Sequence, residues 1–196
     1  MKRLVGILAL FFGILAKCYS QSTPISVGLR GGVSFSNFAG ENVNTDARTG
    51  INFGAFLTYS TDYNFGVTGE VNYAQKGAKT ANSKLNVNYL EIPIHLTYFF
   101  GKGGFRPKIM AGPYVGFLMN SELEINNAKV NVKDLYKSED FGLSVGGGFH
   151  LDIGDAKWFY LDGRYGIGLA DVTKAGGNVY NRVFSINIGI SFGLDQ

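Results

Sequence analysis

The 196-residue chain contains only two imidazoles, His95 and His150, each with a carboxylate nearby in sequence: Glu91 before the first and Asp152 after the second. Such pairs are the raw material of a metal site, but no tight ligand spacing such as His-Glu-x-x-His is present. Ser144 and Ser191 could serve as nucleophiles beside a histidine, as in lipid-modifying hydrolases, provided that lipid reaches them. The glycine runs Gly103–Gly104 and Gly146–Gly148 do not follow a strand and open a helix, so they are not phosphate loops. The sole cysteine, Cys18, offers neither a disulfide nor a thiolate cluster. The expectation is that both imidazoles are hydrogen-bonded within a polar interior. No catalytic, cofactor-binding or metal-ligating residue is assigned, and the chain is read as not an enzyme.

The elements that would position these residues show a period of two, the mark of strands whose faces meet different surroundings. In the last segment Phe184, Ile186, Ile188, Ile190 and Phe192 face one way, and Ser185, Asn187, Gly189, Ser191 and Gly193 the other. The same holds from Ile25 to Phe38, where Arg30 lies among Gly and Ser, and from Leu143 to Ile153. Eight strands are expected, over residues 25–38, 50–60, 65–76, 87–100, 106–119, 140–153, 158–170 and 182–194. Short connections (Thr61 to Asn64, Gly101 to Phe105, Gly154 to Lys157) alternate with four longer ones. The turns of one kind therefore collect at one end, as in an up-and-down antiparallel barrel.

Residues 1–20 read as a signal peptide, with basic Lys2 and Arg3, an apolar run from Leu4 to Ala16 and small Ser20 at a cleavage position. That run is too short to cross a bilayer as a helix. Lys17 directly before Cys18 argues against lipidation of the cysteine. Residues 21–196 form the barrel domain. With Lys2, Arg3 and Lys17 set aside, 15 basic residues balance 15 acidic ones, so a nucleic-acid surface has no support.

The small and charged residues lie on one face of the strands and the bulky apolar ones on the other. A narrow lumen suits the first set and lipid the second, so the barrel is expected to be transmembrane and its partner outer-membrane lipid. Arg30, Glu70, Glu91, His95, Lys108, Asp152, Asp162 and Arg164 should then fill the interior and exclude a diffusion pore. Lys108 is expected to pair with Asp152, leaving Arg30 and Arg164 to offset Glu70 and Glu91. Tyr59, Tyr63, Phe65, Tyr98, Phe99, Phe100, Phe105, Trp158, Phe159 and Tyr160 gather near the short turns, as an interfacial aromatic girdle would.

Several segments resemble the PorT-like outer-membrane β-barrel family of Bacteroidetes-type bacteria: Gly28 to Phe38 (GLRGGVSFSNF), Val71 to Lys79 (VNYAQKGAK), Tyr89 to Tyr98 (YLEIPIHLTY) and Ala111 to Leu118 (AGPYVGFL). Asp140 to Val145 (DFGLSV), Leu161 to Ala170 (LDGRYGIGLA) and Asn181 to Phe184 (NRVF) agree in order. The resemblance implies an eight-stranded integral barrel. It also raises an accessory role in type IX secretion or gliding, which the motifs themselves do not mark.

The function expected is that of a small outer-membrane barrel with a plugged polar lumen and long extracellular loops, structural or interacting in role. The alternatives are a lipid-modifying enzyme and a secretion accessory. Within the loop from Asn120 to Glu139, Glu122 to Lys133 alternates like a strand extension, which would offer an edge to a protein partner.

Overall fold

The computed structural model describes residues 25–40, 45–61, 64–126 and 128–194. The expected signal peptide, Cys18 and Tyr63 lie outside the described residues. The strands are β1 (Ile25–Ala39), β2 (Asp46–Ser60), β3 (Phe65–Lys79), β4 (Ser83–Phe99), β5 (Phe105–Ile125), a short β6 (Ala128–Asn131), β7 (Glu139–Gly154), β8 (Lys157–Gly168) and β9 (Tyr180–Gly193). Each of the long strands pairs antiparallel with its neighbours, β1 meets β9, and β4 pairs with β5, which closes an eight-stranded barrel. The fold class is as expected, with β6 a ninth strand that only lengthens the β5 hairpin beyond the wall.

The burial pattern is inverted relative to a soluble protein. On β9, Ile186 and Ile188 are 42% and 52% exposed on the outside, whereas Asn187 between them is fully buried. The interior contains Arg30, Glu70, His95, Lys108, Asp162 and Arg164, all buried. With eight strands the side chains fill the space left inside.

Two strands run longer than their composition suggests. The Gly-Ala-Lys-Thr-Ala-Asn-Ser stretch after Lys76 reads as a loop, yet pairing continues to Lys79 opposite Lys84, and the turn is closed by the Thr80 N–H donating to the Ser83 carbonyl at 2.8 Å. Gly77 permits this with a φ of +132°, and a Cβ there would meet the Leu85 carbonyl oxygen at 2.0 Å. One of the four expected long loops is therefore a tight turn. On β5 the register shifts at Met119, between Leu118 opposite Tyr89 and Asn120 opposite Asn88. Such a bulge exchanges the faces. Buried positions run Met110, Tyr114 and Leu118 before it and Ser121 after it.

The aromatic girdle is smaller than expected. Tyr59, Phe65, Phe100 and Phe105 are exposed on the outside near the short turns, but Phe99 and Tyr160 are buried inside. Trp158 also faces inward, its ring 6.4 Å from that of His150. Parity explains the correction, since Phe99 shares the face of His95 and Thr97, and Trp158 and Tyr160 that of Asp162 and Arg164.

Candidate functional site

The lumen contains two layers of charge separated by a cavity. In the central layer, Glu70 on β3 receives Arg30 from β1 and Arg164 from β8, whose Nη1 lies 2.8 and 2.9 Å from the two carboxylate oxygens. Asn72 donates to the same carboxylate at 2.8 Å, and His95 Nδ1 lies 3.6 Å from it. Arg164 also grips Asp162 through Nε and Nη2 at 2.8 and 3.1 Å. Lys108 and Asn187 complete Asp162, at 3.2 and 2.9 Å.

This arrangement corrects two expected pairings. Lys108 lies opposite Gly148, and His150 opposite Arg106, so Asp152 falls four residues beyond Lys108's partner, exposed at the short-turn end. There its carboxylate accepts from the Gly154 N–H at 2.8 Å. With no side chain on Gly148, Lys108 reaches across to Asp162 on the next strand. Arg30 and Arg164 both serve Glu70, and Glu91 is bound elsewhere.

Glu91 belongs to a second layer toward the long-loop end, built around Lys76 on β3. The Lys76 ammonium lies 2.5 Å from Glu91 Oε1 and 3.0 Å from Asp140 Oδ2. The rings of Tyr89 and Tyr114 flank it, their centroids 5.1 and 4.5 Å from Nζ. Asn181 donates to Asp140 Oδ2 at 2.8 Å, and the Tyr114 hydroxyl lies 3.4 Å from that oxygen. Neither Lys76 nor Asp140 is among the lumen charges expected from alternation, although both lie in segments quoted for the family resemblance. The signal was present in the parity of Glu70, Asn72, Ala74 and Lys76, and of Asp140, Gly142 and Ser144. It was obscured because each residue sits at a strand end.

Between the layers is a cavity of about 60 Å³ that Arg30, Lys76, Glu91, His95, Ser144 and Arg164 help to line. A smaller one of about 20 Å³ lies below the Glu70–Arg164 pair. Both are of a size for water. His150 stands near the short-turn end, 3.2 Å from the Lys108 ammonium and against the rings of Phe99, Trp158 and Tyr160. The two histidines are thus parted: His95 faces Glu70 and His150 faces Lys108. Ser191 pairs in register with Trp158, while Ser144 lines the larger cavity.

At the long-loop end, two connections fold over the mouth. Val172, fully buried, packs with Phe38, Val87, Tyr89 and Leu118, and Tyr136 and Val179 lean on this cluster. Tyr136 bridges Thr173, and the Lys137 N–H donates to the Val172 carbonyl at 2.9 Å. Asp171 fastens the turn: its Oδ1 accepts from the Thr173 N–H and hydroxyl at 3.0 and 2.9 Å and from the Val179 N–H at 3.2 Å. These donors, the Thr173 N–H foremost, hold its carboxyl down at about 2. Beyond the mouth, β6 pairs with β5 along one edge and forms the end of the sheet, as the alternation in Glu122 to Lys133 suggests.

The model of the family described as "Outer membrane protein beta-barrel domain" matches residues 19–174. Among solved structures, Neisserial surface protein A is similar with a TM-score of 0.57 at 12% identity, over 85% of this chain and 96% of that one. OprG from Pseudomonas aeruginosa gives 0.54 at 15% identity, over 89% and 98%. AlkL, solved in lipid bilayers, gives 0.51 at 16% identity, over 92% and 94%. At such identities the likeness is one of fold. No curated protein matches the sequence.

Proposed function

The chain belongs to the outer membrane protein beta-barrel domain family and resides in the outer membrane, and from that premise we propose that it is a non-enzymatic barrel acting as an interaction platform. The observation that carries this reading is the closed lumen. Two layers of ion pairs cross it, with a cavity of about 60 Å³ between them and one of about 20 Å³ below the Glu70–Arg164 pair among the described residues. The external surface then holds what a partner can meet. By the rule that long loops face outward and short turns the periplasm, that surface is the folded cap and the β5–β6 arm.

The arm, within Asn120 to Glu139, is the site proposed for a protein partner. Its outer edge is the side of β6 that pairs with no strand among the described residues, where Val130 is 56% exposed, and an extended segment could add to it as a further strand. Placement in the PorT-like branch, with a role beside type IX secretion, is the finer reading. It is supported by the YLEIP and AGPY segments, which lie side by side, Pro93 opposite Tyr114.

The deciding experiment is co-purification from detergent-solubilised outer membranes, with wild type beside a variant in which Val130→Pro spoils the β6 edge. A partner retained by wild type and lost by the variant is expected. Recovery of the barrel alone from both, or hydrolysis of lipid by the purified barrel, would overturn the reading.

A further inference from the structure

Lys76 differs from the other lysine buried in the lumen. Lys108 meets a single carboxylate, Asp162, both of whose oxygens are already bound by Arg164. Lys76 instead lies between two carboxylates, at 2.5 Å from Glu91 and 3.0 Å from Asp140, with the rings of Tyr89 and Tyr114 beside it. Asp140 is fully buried, and its oxygens are treated unequally. Oδ2 is within reach of Lys76, Asn181 and Tyr114, whereas Oδ1 has no hydrogen-bond partner among the described residues. A buried carboxylate oxygen without a donor is costly and calls for an explanation.

We propose that Lys76 and Asp140 condense, with Glu91 as proton carrier, into an intramolecular isopeptide bond that staples β3 to β7 across the lumen. Glu91 carries a proton from the Lys76 ammonium to the unpartnered Oδ1 of Asp140, which frees the amine lone pair to attack Cγ of a neutral carboxyl group. A tetrahedral centre forms, with its oxyanion on Oδ2, where the Asn181 amide and the Tyr114 hydroxyl stand as donors. The second amine proton then passes by way of Glu91 to the Oδ1 hydroxyl. The C–Oδ1 bond breaks and one water leaves. The new bond is Nζ–Cγ, no electrons are exchanged with any other molecule, and the nitrogen ends as a neutral amide.

The driving force is the environment. A buried ammonium and a buried carboxylate become an uncharged amide, and the oxygen that lacked a donor departs. The site also brings together segments distant in the chain. Lys76, Glu91, Tyr114, Asp140 and Asn181 come from five strands, and each lies in one of the segments quoted for the family resemblance.

Tryptic mapping of the folded wild-type barrel, denatured after purification from outer membranes, tests the bond. Because a linked lysine resists cleavage, the expected species joins residues 49–79 to residues 138–157 and is one water lighter than the two peptides together. Free peptides 49–76 and 138–157 from the folded protein would overturn the proposal. A link from Lys76 to the peptide carrying Glu91 would overturn the choice of Asp140. Glu91→Gln should give the unlinked peptides while still migrating as a folded barrel, and a full yield of link in that variant would overturn the role of Glu91. The wild-type map stands alone if the variant does not fold.

Discussion

Lys108 and Asp162 sit on strands that do not pair with each other, yet their side chains meet at 3.2 Å across the glycine that separates them. Gly148 pairs with Lys108 on one side and Asp162 on the other. A Cβ at Gly148 would lie 2.0 Å from the Leu161 carbonyl oxygen and 2.8 Å from the Asp162 Cβ. The glycine is what lets the cation pass.

A double-mutant cycle on Lys108→Met and Asp162→Asn should therefore show coupling of roughly 1–3 kcal/mol, while Lys108→Met with Asp152→Asn should be additive. Denaturant titration of barrels refolded in lipid vesicles reads both. Coupling to Asp152 and none to Asp162 would mean that the β5–β7 register differs from that described.

Glu70→Gln should be among the most damaging lumen substitutions, costing about 3–5 kcal/mol, because it leaves Arg30 and Arg164 facing each other without their shared carboxylate. Heat-modifiable gel migration should shift to a lower unfolding temperature. The companion change Arg30→Met in the same background should recover part of the loss by removing one of the two stranded cations.

Depth in the bilayer should be readable along one strand. Ile188 and Leu194 are 52% and 58% exposed on the outer side of β9 and just beyond its end. Arg in place of Ile188 should cost about 2–4 kcal/mol, against about 0–1 for Leu194→Arg near the interface. Refolding titrations in vesicles give the comparison, and equal costs would contradict the membrane placement of β9.

The cap should outlast mild acid. Its Asp171 carboxyl is held at about 2, below the ordinary value. The clasp therefore contributes fully above that ordinary carboxylate range, near ~4, and loses its contribution as pH falls toward the folded value. Amide exchange at Thr173 and Val179 should remain slow at pH 4 and quicken on further acidification. In Asp171→Ala both amides should exchange fast at every pH.

Conductance in planar bilayers provides a further check on the closed lumen. Wild type should pass no steady ionic current, and Glu70→Ala combined with Lys76→Ala should open a measurable one. Comparable currents from the two proteins would show that the ion-pair layers do not close the barrel.

The faces of the strands were legible residue by residue. Ile188 outside and Asn187 inside follow from alternation alone, because lipid and a narrow polar lumen impose opposite demands on successive side chains. The eight wall strands and the short turns followed from the same periodicity, whereas the long loop expected after Lys76 is a tight turn. The aromatic residues were misread where nearness to a turn was weighed above parity, as Phe99, Trp158 and Tyr160 show.

Which charge meets which was decided only by the tertiary structure. A pairing across a barrel depends on register to a single residue, and β5 meets β7 with Lys108 opposite Gly148, four residues short of Asp152. Side chains as long as lysine and arginine then reach past their neighbours wherever a glycine leaves room, so Lys108 finds Asp162 and Lys76 finds Asp140. Alternation specifies the face a residue takes. The distance between two charges on that face is set by strand stagger and barrel closure, which no local segment encodes.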